Sequence, residues 1–431
     1  MTDYWEKYRE KGYDPERLRT EYNAWEKKAT FINIDKQELT HDLIKDLTFL
    51  SSLTVEQYTL LRKWREVQEY RVKNNVKAVK FDFFAGSFPD KPEQVPDLNK
   101  IKSKIWLPES SDDYLKLEPR LSICNGDKDR LKTWGLLRSF TSTMLNNSIP
   151  GRNIRFIVYD GVTGKYLGVI CISSDFMDLT ARDNKIGWSR EIKTKGKMIN
   201  HIGIGSTIVP TQPLGYNFVG GKLLALLILS DYVENSWTNM YDRLAGITTT
   251  SLYGSFSQYN GLKYWKKAGH SAGSIKYEPS REIVNRCKEW LKYNHRVAYW
   301  EWYEAKSNTG HPFKRDFKQR SLAWMYKEFD VPKEIIQSDH TRGIYFCTLF
   351  NKTNEFLRKE ITEDELLASG KRFDNSIEAI AELWKTKYVS KRVKRLLELG
   401  KYNTESLFYD ELIYIDTWEE VNEKYVKAVG R

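Results

Sequence analysis

The stretch ARDNKIGWSREIKTKG, residues 181–196, sets Asp183, Arg190 and Glu191 around Trp188. Such a set can do chemistry. A carboxylate, Asp183 or Glu191, takes a proton from an attacking amine. Arginine holds a phosphate with its planar fork, and an indole face stacks on an exposed base. The same residues also make up a solvated charged loop with one packing tryptophan, and both readings stand at this point.

Two further stretches have the right residue types. GITTTSLYGSFSQYNG is dense in hydroxyls. Thr248 and Thr250 share one face of a strand, and Tyr253 and Ser255 fall in the loop that follows, where side chains orient polar substrates. β-branched threonines also simply favour strands. PLGYNFVGGKLLALLILSDYV, from Pro213, opens a helix at Gly220-Gly221-Lys222. A helix start presents bare N–H groups and a positive dipole end, glycine lets an anion approach, and Lys222 adds charge. Alternatively, the two glycines let the helix pack tightly on a sheet. If they prove sealed within packed protein, the anion reading falls.

Other chemistries find no pattern. Cys124, Cys171, Cys287 and Cys347 are scattered, as are the six histidines, so no zinc spacing occurs and reduced, buried thiols are expected. No Gly-x-Ser-x-Gly elbow appears. Asp339, His340 and Arg342 stand together before a strand, an isolated polar group.

The elements that must position these residues follow from pattern. The chain has 431 residues, 40% of them hydrophobic, enough for real cores. The longest apolar run, Leu223–Leu229, is too short to span a bilayer, and the charged, aromatic start lacks a signal-peptide pattern, so a cytoplasmic protein is expected. Helices are expected at HDLIKDLTFL and at TVEQYTLLRKWREVQEYRV, then a proline-rich loop from Phe84. RLSIC reads as a strand and DKDRLKTWGLLRSFTSTML as a helix beginning at Asp127. NIRFIVYDGVTGKYLGVICIS reads as a hairpin turning at Gly161 and Gly164, and HIGIGSTIVP as the strand before the Gly-Gly helix. After the strand LAGITTTSLYG, SQYNGLKYWKKAG reads as a short helix capped by Gly269, and SAGSIKY as a last strand. PSREIVNRCKEWLKYN is helical, RGIYFCTLF strand-like, and SIEAIAELWKTKYVSKRVKRLLELGKYN ends in a basic helix with Lys391, Arg392 and Arg395. The expected class is α+β: helical residues 1–110, a mixed sheet over 115–278 with a hairpin at one side and a central parallel pair, and a helical basic region over 279–431.

A net charge of +11 with 14% aromatics suits phosphate backbones and exposed bases. Nucleic acid, DNA foremost, is therefore the expected partner, through Trp188, Arg190, Lys391, Arg392 and Arg395; a homo-oligomer is also open.

Residues 119–277 resemble the GNAT acyltransferase fold in element order. The resemblance implies an acyl-coenzyme A donor whose pyrophosphate lies along Val209, Gly215, Val219, Gly220, Gly221 and Lys222. Phe218–Lys222 stands where the family's Gly-rich pattern falls, without its leading Gln or Arg. Trp265 falls where many members have an acid tyrosine, with Tyr264 beside it. More narrowly, Arg182, Asp183, Ile186, Gly187, Trp188, Gly269 and Gly273 resemble a pattern of DruA-like proteins of phage-defence and phage genomes. Phage Mom proteins, which modify adenine in DNA, are similar to the same core. These resemblances imply a transferase acting on a DNA base, with Asp183, Glu191, Tyr253, Ser255 and Tyr264 as the catalytic candidates. Two alternatives stay open: an inactive nucleic-acid-binding platform, and an acetyltransferase for a protein or small amine.

Overall fold

A computed structural model describes residues 4–74, 101–141, 151–215, 217, 219–251, 257–271, 277–305, 318–336, 341–402 and 417–429. The chain divides into two compact units, one of residues 1–54 and 274–339, the other of 55–273 and 340–431.

The larger unit holds a seven-stranded mixed sheet: β1 (Pro119–Ile123), β2 (Asn153–Asp160), β3 (Tyr166–Ser174), β4 (Ile202–Pro210), β5 (Gly246–Thr250), β6 (Lys266–His270) and β7 (Gly343–Thr348). The strand order is β1-β2-β3-β4-β5-β7-β6. The hairpin between β2 and β3 turns where expected. Asp160 closes it by accepting from the backbone N–H and the hydroxyl of Thr163, at 3.0 and 2.7 Å, and Gly164 supplies a positive φ of 69°. β1 pairs antiparallel with β2 although a helix, Lys128–Thr141, connects them. The central parallel pair is β4 with β5, joined by the helices Gly220–Leu227 and Asp231–Met240; it spans only Ile202–Ile204 against Gly246–Thr248.

Alternation along β3 separates two apolar layers. Val169 and Cys171 face a cluster with Trp134 and Leu137, while Ile170 and Ile172 join the main core with Leu223, Leu224 and Leu227. Trp134 donates its indole N–H to the Ile170 carbonyl at 3.2 Å, which docks the Lys128–Thr141 helix. All four cysteines are free and buried. Among the described residues, no helix is long and apolar enough to cross a membrane.

Two sequence expectations change. SQYNGLKYWKKAG is not a helix: residues 257–262 form tight turns, Tyr264 takes a positive φ of 76°, and Lys266–His270 is edge strand β6. Gly269 is no helix cap; it sits beside the irregularity in β6 at φ 151°, paired with Ile344. Pairing with β7 overrides the helical spacing here, a long-range contact that local periodicity does not encode. RGIYFCTLF is a strand as expected, but instead of interrupting a separate helical region it enters the sheet as an inner strand between β5 and β6, its run Gly343–Cys347 buried throughout. SAGSIKY falls mostly outside the described residues, as does the proline-rich loop.

The smaller unit is helical. Its long helices are Pro15–Glu26, Lys36–Ser51 and Arg281–Asn294. Trp5, Tyr8, Leu18, Tyr22 and Trp300 form one core, and Arg286 pairs with Asp42 and Glu38 at 2.6 and 3.0 Å.

At Gly168 on β3, both β4 and the Gly220–Leu227 helix come close. A Cβ there would stand 2.6 Å from Leu224 Cδ2 and 2.8 Å from Pro210 Cα. Neither backbone nor packed leucine can yield cheaply, so Gly168→Ala is expected to destabilise the protein by about 2 kcal/mol or more in denaturant unfolding. An unchanged midpoint would show that β4 and the Gly220–Leu227 helix do not both close on this position.

Candidate functional site

The loop leaving β3 and the Thr180–Ile186 helix carry charge into the interior. The side chains of Asp175 and Arg182 are fully buried and paired at 2.9 Å. The Arg182 guanidinium also donates to Asp183 and to the Phe176 carbonyl. Lys193, 4% exposed, bridges Asp183 at 2.6 Å and Asp178 at 3.0 Å. Thr248 on β5 donates its hydroxyl to Asp175 at 2.5 Å. Burial pushes the Asp175 carboxyl up from its ordinary value, opposed by the Arg182 guanidinium and the Thr248 hydroxyl. Lys193 pulls exposed Asp178 down.

This network joins three pieces into one block: the loop 175–179, the Thr180–Ile186 helix and the π-helical turn Glu191–Lys195. Neighbouring elements lock it in place. Trp188 donates its indole N–H to the Leu357 carbonyl at 2.6 Å, with the Arg182 guanidinium 5.3 Å from its ring centroid. Arg358 donates to the Ile186 carbonyl at 3.0 Å, and Lys185 to the Lys267 carbonyl on β6 at 3.2 Å. A Cβ on Gly196 would stand 3.0 Å from the Lys359 Cε, so that lysine stem lies across the turn.

Exposed cations border the block and form its rim, in and beside the turn Glu191–Lys195, at Lys359 against Gly196, and on β6, which Lys185 reaches. Arg190, Lys195, Lys197, Lys359 and, on β6, Lys266 and Lys267 are exposed. Lys195 reaches Glu191 at 3.6 Å, a surface pair of little worth. Lys197 and Lys359 both hold left-handed backbone, at φ 59° and 61°. Lys197 follows Gly196 after the turn Glu191–Lys195, and Lys359 follows Arg358 after the helix Thr353–Leu357; both lie close behind a helical turn.

The expected residues at 181–196 therefore do come together, with altered roles. Asp183 is a paired structural carboxylate rather than a free base. Trp188 is bolted by its N–H and packed on the core, so it does not offer a face to a base. Arg190 is exposed as expected, and Glu191 is an exposed partner of Lys195.

The Gly-Gly-Lys start is corrected. A Cβ on Gly220 would stand 2.6 Å from Leu214 Cγ, one on Gly221 would collide with the Gln258 amide oxygen, and Lys222 donates to the carbonyls of Gln258 and Asn260 at 3.1 Å each. These glycines admit neighbouring protein, and the lysine is already engaged. Val219 is buried and accepts from Trp384. Gly215 donates to the Thr211 carbonyl, and Val209 pairs with Val169 within β3–β4. Tyr264 stacks flat on Phe373, centroids 3.7 Å apart. Tyr253 and Ser255 lie outside the described residues. On the Ser390–Glu398 helix, Lys391 and Arg395 are exposed and Arg392 half-buried, opposite buried Val393 and Leu396. Among the described residues no cluster of His, Cys, Asp or Glu could hold a metal ion.

Sequence reasoning passed over Asp175, Lys193, Lys197 and Lys359. Asp175 had one available signal, a lone carboxylate directly after the apolar strand YLGVICISS. The lysines had none, because the carboxylate partners of Lys193 and the left-handed backbone of Lys197 and Lys359 show only in the fold.

The fold and site define a mixed α/β protein in which a buried ion network supports an exposed cationic rim. Residues 116–359 match the family model described as Druantia protein DruA, and the chain belongs to that family. Over 247 residues it is 28% identical to the Druantia protein DruA of Escherichia coli (strain UMEA 4076-1), covering 52% of this chain and 53% of that protein. The chain thus spans about half the length of the curated relative it matches. No solved structure matches it.

Arg182→Ala strands the Asp175 carboxylate in the core. Loss of one partner of a buried pair costs about 3–5 kcal/mol, so a large fall in unfolding midpoint is expected. Adding Asp175→Ala should recover part of it. Strictly additive losses would show that the two charges are not coupled.

Proposed function

We propose that this chain serves in defence against phage by engaging nucleic acid through the rim of Arg190, Lys195, Lys197 and Lys359. One observation carries the reading. Lys197 and Lys359 hold left-handed backbone, a conformation that costs a lysine about 1 kcal/mol or more and glycine almost nothing. Elsewhere in the chain glycine takes this backbone region, as Gly187 does behind the Thr180–Ile186 helix. Lysine in a conformation that glycine adopts more readily points to a use for its charge.

Charge distribution supports the reading. Residues 55–273 hold 31 Lys and Arg against 21 Asp and Glu, nearly the whole of the net +11. Among the described residues, Lys197 and Lys359 have no side-chain acceptor, and the buried network beside them is internally paired. A phosphate backbone is the polyanion that such a rim fits. Family membership supports the defence role. The helix start expected to hold an acyl donor is filled by Leu214 and Gln258, so the reading rests on binding alone.

The test is binding of the purified protein to labelled DNA and RNA across salt concentrations. Affinity should fall linearly in log–log form, and Lys197→Gly with Lys359→Gly should flatten the slope by roughly 1 for each phosphate no longer neutralised. The same variants should melt close to the wild-type temperature, with relief of the left-handed backbone offset by loss of the Lys359 stem packed over Gly196 and by the greater freedom of glycine in the unfolded chain. Wild-type protein without salt-dependent affinity for any nucleic acid would refute the proposal.

A further inference from the structure

We propose that Phe176 and Met177 form a stacking tip that takes an unpaired base, so that the nucleic acid engaged is single-stranded or locally opened. The inference rests on the nucleic-acid reading above and specifies the state of the strand.

Phe176 and Met177 are 55% and 53% exposed, two adjacent large apolar side chains in solvent. Exposed pairs of this kind commonly sit on loose loops, but this one does not. The Phe176 N–H donates to the Asp175 carboxylate at 2.7 Å, and its carbonyl accepts from Arg182 at 2.9 Å. Both partners have fully buried side chains. The backbone of Phe176 is thus fixed from both sides by the network, while its ring is left outside.

What surrounds the tip selects its occupant. Two residues on, Asp178 is bound by Lys193 of the turn Glu191–Lys195, which ties the tip to the turn that holds Lys195 and is flanked by Arg190 and Lys197. An apolar protein partner would have to desolvate those cations. A nucleotide chain satisfies both parts, its base against the phenyl ring and thioether and its phosphates along the rim. A paired base keeps its faces inside the duplex stack; only an unpaired or extruded one can lie on the ring. With Trp188 bolted to Leu357, Phe176 is the aromatic that this block offers to solvent.

The experiment compares wild type, Phe176→Ala and Phe176→Trp on single-stranded and duplex oligonucleotides, with 2-aminopurine as the reporting base. Wild type should quench 2-aminopurine and prefer the single strand. Phe176→Ala should weaken single-strand binding about tenfold, lose the quenching and leave duplex affinity within about twofold. Phe176→Trp should keep affinity and quenching. Melting temperatures should match, since the ring is exposed. Salt-dependent binding with Phe176→Ala indistinguishable from wild type, or weakened equally on both substrates, would overturn the stacking tip and leave the nucleic-acid reading standing. No binding by wild type to either substrate would overturn both.

Discussion

The Arg182–Asp175 pair is the constraint on which the site depends. Two ions without solvent contact must satisfy each other's hydrogen bonds or cost several kcal/mol each. Here they do so closely: Asp175 accepts from Arg182, Thr248 and the Phe176 N–H, while Arg182 reaches two carboxylates and a carbonyl. The outcome is geometric more than energetic. A loop, a short helix and a π-helical turn, none with enough apolar surface to hold a shape alone, are fixed to one another and to β5.

Rigidity inside permits charge outside. Lys193 closes the network against Asp183 and Asp178, so the rim lysines beside it face no neutralising core. Surface cations are ordinarily screened within about 10 Å in 0.1 M salt, and single ones do little. Several held on one block act as a local field. Left-handed backbone at Lys197 and Lys359 costs some stability, a cost that the packing around each must offset.

The Gly220–Leu227 helix illustrates a different use of glycine. Its leucines are buried between sheet and neighbouring helix, and Trp384 donates to the carbonyl just before it. Gly220 and Gly221 leave room for Leu214 and Gln258, and Gly168 on β3 leaves room for Leu224. Close packing, rather than an open amide cradle, explains why small residues stand there.

The amino-acid sequence by itself determined the α+β class, the β2–β3 hairpin, the parallel β4–β5 pair and the grouping of Asp183, Trp188 and Arg190, because turn chemistry, strand alternation and short separations are local properties. Only the tertiary structure decided that β7 enters the sheet beside β5, that Lys266–His270 pairs as a strand, and that Asp183 and Trp188 are anchors while Phe176 stays exposed. Each of those outcomes turns on a partner distant in sequence, Ile344 for Gly269, Leu357 for Trp188, Thr248 for Asp175. A residue's role here follows from what its polar atoms meet, and that meeting exists only once the chain has folded.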